Sequence, residues 1–217
     1  MIGEDGILPM TAKVPWEGRL TSVQPRIRLL RSFDQRHHSY LGYVLWVDGV
    51  VGGEEREFSI AVGNVAQAKH EFEVGDTVRG ESAPVPDRRL EIAEYYKTSG
   101  LKVVDRPKGD WKPPPWLSPP QPLEVYRERG HRRLALRTYD ANCTVCVWGC
   151  LMPVEMIIDQ WDPGHVKYRQ ESFCYGPKSC SIHRAGPTRK VPGRHGMVWE
   201  EEDWVDKEAT DHRGPDD

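Results

Sequence analysis

The chain has 217 residues, 30 Lys and Arg against 33 Asp and Glu, and a formal net charge of −3 at neutral pH. It is no general polyanion binder, and its length suits one ordinary domain with a smaller second one. Its 20 Gly and 18 Pro exceed average usage without the period of collagen, which points to a turn-rich globular protein. No apolar run approaches the roughly 20 residues of a membrane helix, and Met1 to Pro15 carries acids where a signal peptide needs a basic end and an apolar core, so a cytoplasmic protein with no membrane partner is expected.

In chain order, residues 1–16 follow neither the strand nor the helix period and read as a flexible arm. Strands begin after Glu17. Arg26-Ile27-Arg28-Leu29 alternates polar and apolar, Ser39 to Val47 is rich in aromatic and β-branched residues, and Phe58, Ile60 and Val62 share one face of a third strand. Asp34 to His38 and Asp48 to Gly53 mark turns, so His37 and His38 read as an exposed turn and not as a ligand pair. Asn64 can cap a short helix through His70, with Val65, Ala68 and Phe72 three or four residues apart. Two more strands follow near Asp76 to Ser82 and Leu90 to Tyr96.

Three strands, a short helix and two strands is the element order of an OB-fold. Phe72-Glu73-Val74-Gly75-Asp76-Thr77-Val78-Arg79-Gly80 is similar to the start of the fourth strand in OB-fold proteins, where Gly and Asp turn the corner. The resemblance covers residues 17–104 and implies a five-stranded barrel. Another small antiparallel barrel or sandwich would use the same elements.

Residues 105–122 hold a dense run of prolines that can continue neither a helix nor a central strand. They read as a stiff connector, with Trp111 and Trp116 as anchors, or as a ligand for a proline-binding domain. Residues 123–199 form a cysteine-rich module in which Leu123 to Tyr139 alternates as a strand with a basic turn, and Pro153 to Trp161 reads as a short helix. Residues 200–217 form an acidic tail, with Trp199 to His212 suited to a short helix or strap. That end holds nine acids and two bases and leaves the rest of the chain at +4. The expected fold class is mainly β: an OB-like five-stranded barrel plus a small α+β C-terminal module stabilised by metal.

All five cysteines fall in the pattern Cys143-x2-Cys146-x3-Cys150 and Cys174-x5-Cys180, with His183 following. In a reducing compartment, two thiol groups separated by an ordered segment point to a metal and not to disulfides. Zinc takes four ligands and tolerates a long excursion between two pairs. The simplest set is Cys143, Cys146, Cys174 and Cys180, with Cys150 and His183 as alternates. The apolar first loop also suits a [4Fe-4S] cluster. The competing readings are metal-free thiols packed as small hydrophobes, and a reactive Cys150 ahead of a helix N-terminus.

Arg127 to Arg137 and His183 to His195 contain nine Arg or Lys against one acid. Arg132, Arg133, Arg189 and Lys190 can therefore be read as phosphate contacts, or as partners of Glu200 to Asp206. On the barrel, Trp46 can stack on a base while Arg28 and Arg31 supply charge. The expected function is binding of single-stranded DNA or RNA around a structural metal. The alternatives are a protein-interaction scaffold and an iron-sulfur redox component. No P-loop, GxGxxG, HExxH or GxSxG motif occurs, so no reaction is assigned.

Overall fold

A computed structural model describes residues 12–33, 35–107, 114–117 and 119–217. The arm up to residue 11 and the anchor Trp111 lie outside the described residues. The first element, β1 (Val14–Arg31), buries Trp16 and Leu20, then Val23, Ile27 and Leu29. The change of phase after Leu20 coincides with a register shift against the next strand, between Leu20 and Ser22. One extra residue there moves the apolar set back onto the inner face. A second shift, at Arg26/Ile27, faces Gly42 at φ 130, where a Cβ would stand 2.1 Å from Val62 O. Only glycine fits that bend.

The chain continues through β2 (Arg36–Val51), β3 (Glu54–Val62), α1 (Asn64–His70), β4 (Thr77–Pro84) and β5 (Tyr95–Asp105). Strand pairings run β1–β2–β3–β5–β4 and return to β1, a ring of five that is antiparallel except at the β3–β5 step. The expected turn at Asp48 shrinks to Gly52-Gly53, because alternation carries β2 on to Val51. The expected strand at Leu90 does not start until Tyr95. Glu91, which is buried, accepts the backbone N–H groups of Ile92 and Ala93 and pairs with Arg26. Such local side-chain bonds hold a turn against the ladder. In α1 the N-cap is Gly63 rather than Asn64, with no side-chain capping bond.

The second half contains α2 (Leu123–Arg129), β6 (Arg132–Arg133), α3 (Leu136–Thr138) running into a π turn over Tyr139–Cys143, β7 (Gly149–Asp159), β8 (Asp162–Cys174), β9 (Arg189–Pro192), β10 (Val198–Glu201) and α4 (Asp203–Thr210). Two expectations are corrected here. Leu123 to Tyr139 is mostly helical, since Leu123 and Tyr126, three residues apart, bury against the ring. The helix expected over Pro153 to Trp161 is the strand β7. Val154, Ile157, Ile158 and Trp161 fit a helical stripe, while Met152, Val154, Met156 and Ile158 fit a period of two, and pairing on both sides decides for the strand. β1 runs parallel to it from Leu29↔Val154 to Arg31↔Met156, and β8 runs antiparallel. Pro153 sits just before the β1 pairing begins, where no ladder donor is needed.

β7, β8 and β6 thus extend the ring outward from β1 into one eight-stranded sheet, and the fold is mainly β. The apolar core is continuous across the proline-rich stretch. Leu123, Tyr126, Met152, Val154, Phe173 and Tyr175 belong to the same cluster as Leu20, Leu45 and Phe58. Trp116 is exposed and engages through its backbone, its carbonyl accepting Val147 N–H at 2.9 Å. Among the described residues no helix is long and apolar enough to cross a membrane.

Candidate thiolate metal site

The first cysteine loop leaves the π turn at Cys143 and closes on itself. Cys146 N–H donates to Cys143 O at 3.2 Å and Gly149 N–H donates to Cys146 O at 3.0 Å. Gln24, buried in β1, clamps this turn. Its amide Nε2 donates to Cys143 O (2.7 Å) and Cys146 O (2.9 Å), while its Oε1 accepts the Tyr139 hydroxyl at 2.7 Å. Gly149 is equally constrained, since a Cβ there would lie 2.4 Å from Cys143 O. The register Gly149↔Cys174 then brings the end of β8 to the same place. Gly176 N–H donates to Cys174 Sγ at 3.4 Å, and the following turn places Cys180 N–H on Pro177 O at 3.2 Å.

The four thiols lie near enough to influence one another's charge. Burial pushes the Cys143 thiol up to about 12, and the charges that Cys146, Cys174 and Cys180 would carry push it the same way. Burial likewise raises Cys146 to about 11, opposed by the backbone N–H groups of Trp148 and Gly149, and raises Cys174, opposed by Gly176 N–H. On their own these thiols stay protonated at neutral pH. Yet the N–H groups aimed at sulfur favour thiolate, and a divalent cation reverses the balance. Among the described residues no group of three or more His, Cys, Asp or Glu side chains is placed to hold a metal ion.

The two alternates stand elsewhere. Cys150 is fully buried in the apolar core with Sγ 3.4 Å from Pro25 O, and it begins a strand and not a helix. His183 has Nε2 3.2 Å from Arg133 O.

The residues expected to contact nucleic acid are not gathered on one face. Arg31, Arg133 and Arg189 are buried and ion-paired. Arg31 meets Glu171 (3.2 Å) and Glu201 (2.6 Å), Arg189 meets Glu171 (2.6 Å), and Arg133, 1% exposed, meets Asp203 (2.5 Å) and Asp206 (3.0 Å). Arg28 donates to Leu90 O, and Arg132 donates to Pro177 O and Lys178 O. Lys190 is exposed beside Glu200 at 3.2 Å, and Trp46 packs with Tyr96 over Val44, Ala61 and Ala93. The acidic end therefore pairs with the basic stretches, and it is built as β10 and α4.

A groove of about 710 Å³ opens between the β1–β2 connection and the tip of the β7–β8 hairpin, lined by Leu30, Gln35, Arg36, His37, Ile157 and Gln160 among others. Trp161, at the hairpin tip, is 78% exposed. Neither feature was part of the sequence expectation. The turn composition of Asp159-Gln160-Trp161-Asp162-Pro163-Gly164 was the available signal. No protein-family model, curated protein or solved structure matches the chain.

Proposed function

We propose that the ring is an OB-like barrel, that Cys143, Cys146, Cys174 and Cys180 hold a structural Zn2+, and that the protein binds single-stranded nucleic acid along the groove beside Trp161. The metal reading is supported by four thiols that influence one another's charge, three of the four on tight turns, with N–H groups directed at two of the sulfurs. Bound there, zinc supplies a cross-link between the two cysteine loops and no chemical step. Gln24 and Gly149 hold the first loop in shape, and Gly176 holds the second.

The observation that carries the binding reading is the groove lined by Gln35, Arg36, His37 and Gln160, with the exposed Trp161 following Gln160 in the chain. A cation such as Arg36 in a groove, with an aromatic face at the neighbouring hairpin tip, is what a phosphate and its base require. The groove lies at the connection between the first two strands, one of the loops that OB-folds use for oligonucleotides. Arg31, Arg133 and Arg189 leave this reading because they are enclosed in ion pairs; Arg36, which shares Glu201 yet stays exposed, and Trp161 take their place. A protein partner is the second reading, favoured by the exposed Leu136, Val145 and Ile182 on the segments that carry the cysteines.

A salt titration of labelled oligonucleotide binding tests the proposal, after elemental analysis and a visible spectrum have shown zinc or iron. Affinity should fall with salt at a slope of roughly −0.7 per phosphate contact. Arg36→Gln should flatten that slope, and Trp161→Ala should cost about 1 to 3 kcal/mol with the slope unchanged. Absence of binding at low salt rejects the nucleic-acid reading in favour of a protein partner.

A further inference from the structure

Charge along one wall of the groove does not balance. Arg31 ends β1 and Arg36 begins β2, and both line the groove together with Ser32, Gln35 and His37. Ser32 N–H donates to Gln35 O at 2.9 Å and keeps the connection between the two strands short. Arg169 and Arg189 meet the same two carboxylates as this pair. Glu171 accepts from Arg31 (3.2 Å), Arg189 (2.6 Å) and Arg169 (2.5 Å), and Glu201 accepts from Arg31 (2.6 Å) and Arg36 (3.2 Å). Among the described residues no other carboxylate forms an ion pair with any of the four. Four guanidiniums against two carboxylates leave an excess of two positive charges.

Burial makes that excess count. The side chains of Arg31 and Arg189 are 3% and 8% exposed, and both glutamates are buried with them, so the inner part of the cluster is screened little by water or salt. Arg31 Nε and one terminal nitrogen of Arg169 find no acceptor among the described residues. The two carboxylates therefore do not saturate the guanidiniums. Arg189 has a partial substitute, its guanidinium carbon lying 4.1 Å from the Phe173 ring centre. The remaining field reaches His38, which burial, then Arg36 and Arg31, lower to about 4 against the opposing charge of Glu201. Arg36, with 33% of its side chain exposed, is the member of the cluster that both meets solvent and lines the groove.

We infer that this wall of the groove is a phosphomonoester site, which receives the terminal phosphate of a single strand on Arg36 and His37 while the buried Arg31 adds charge. A phosphomonoester carries about −1.5 to −2 at neutral pH, which matches the excess, whereas a phosphodiester inside a strand carries a single charge. Arg36 uses one terminal nitrogen on Glu201 and keeps further N–H donors for phosphate oxygens. At about 710 Å³ the groove has the size of a small-ligand site and suits one nucleotide at a strand end more than a long run. This deepens the nucleic-acid reading and rests on it for the strand that carries the phosphate. The site itself rests on the charge count, and a free mononucleotide offers the same chemistry.

The test uses the full-length protein and one labelled single-stranded oligonucleotide prepared with hydroxyl ends, with a 5′-phosphate and with a 3′-phosphate. One of the phosphorylated forms should bind about 10-fold tighter than the hydroxyl form, and adenosine monophosphate should compete away that increment. Arg36→Gln should remove the preference, and His37→Ala, at an exposed position, should reduce it and serves if Arg36→Gln does not fold. Equal binding of all three oligonucleotides would overturn the site and leave the nucleic-acid reading standing. A preference that survives in both variants would overturn it too, since the phosphate would then be read elsewhere. If no oligonucleotide binds, the nucleic-acid reading fails and adenosine monophosphate decides: binding by wild type but not by Arg36→Gln keeps the site for a small phosphomonoester, and no binding removes it.

Discussion

His38 and His131 pack with ring centres 4.7 Å apart and planes tilted by 55°, and His131 also meets Phe173 at 4.5 Å and Tyr175 at 5.7 Å. Burial, aided by Arg36 and Arg31 and opposed by Glu201, lowers His38 to about 4; burial and His38 itself hold His131 well below its ordinary value. Between pH 4 and the unfolded value of 6.5 the unfolded chain therefore binds more protons than the folded one. Stability is full above pH 6.5 and falls as the pH drops below it, by up to about 1.4 kcal/mol per pH unit for each histidine. Urea unfolding at pH 5 should show about 2 kcal/mol less stability than at pH 7.5 from His38 alone, and His131→Phe should reduce the total difference. A pH-independent midpoint across this range would show that neither ring is held neutral. Gln24 shows the same scale at work in the site, since one buried amide donates to two carbonyls and accepts one hydroxyl.

At the scale of elements, the acidic end behaves as a strap. β10 pairs with β9 in the register Glu200↔Lys190 and Glu201↔Arg189, and α4 presents Asp206 to both the backbone N–H and the Nε of Arg133, each at 3.0 Å. Four arginines, 31, 36, 169 and 189, share Glu171 and Glu201. Breaking one side of a buried pair costs about 3 to 5 kcal/mol because the remaining charge stays enclosed. Asp206→Ala should fall at the lower end, about 3 kcal/mol in chemical denaturation, since Asp203 still reaches Arg133. A loss no larger than that of an exposed pair such as Lys190 and Glu200 would show the strap to be ornamental.

At the scale of the whole molecule, β1 is common to the five-strand ring and to the β7–β8 extension, and one apolar cluster spans both. Denaturation followed by far-ultraviolet circular dichroism and by tryptophan fluorescence should give a single coincident transition, because neither half can lose its packing alone. Two separated midpoints would mean that the halves fold independently.

The sequence alone determined the β character of the first half, its element order, and the two thiol pairs, because strand alternation and cysteine spacing are local patterns that survive without a partner surface. It also marked the acidic end as a possible partner for the basic stretches. Only the tertiary structure decided β7, whose apolar residues fit two periods until β1 and β8 took them as a strand. It likewise separated Cys150 from the other four thiols, since burial against Pro25 is fixed by strand register and leaves no trace in spacing. The charged residues were the least legible. Whether an arginine faces solvent, as Arg137 does, or sits enclosed between carboxylates, as Arg31 and Arg133 do, depends on which distant acid the fold brings within about 4 Å, where the pair's attraction offsets part of the cost of leaving water.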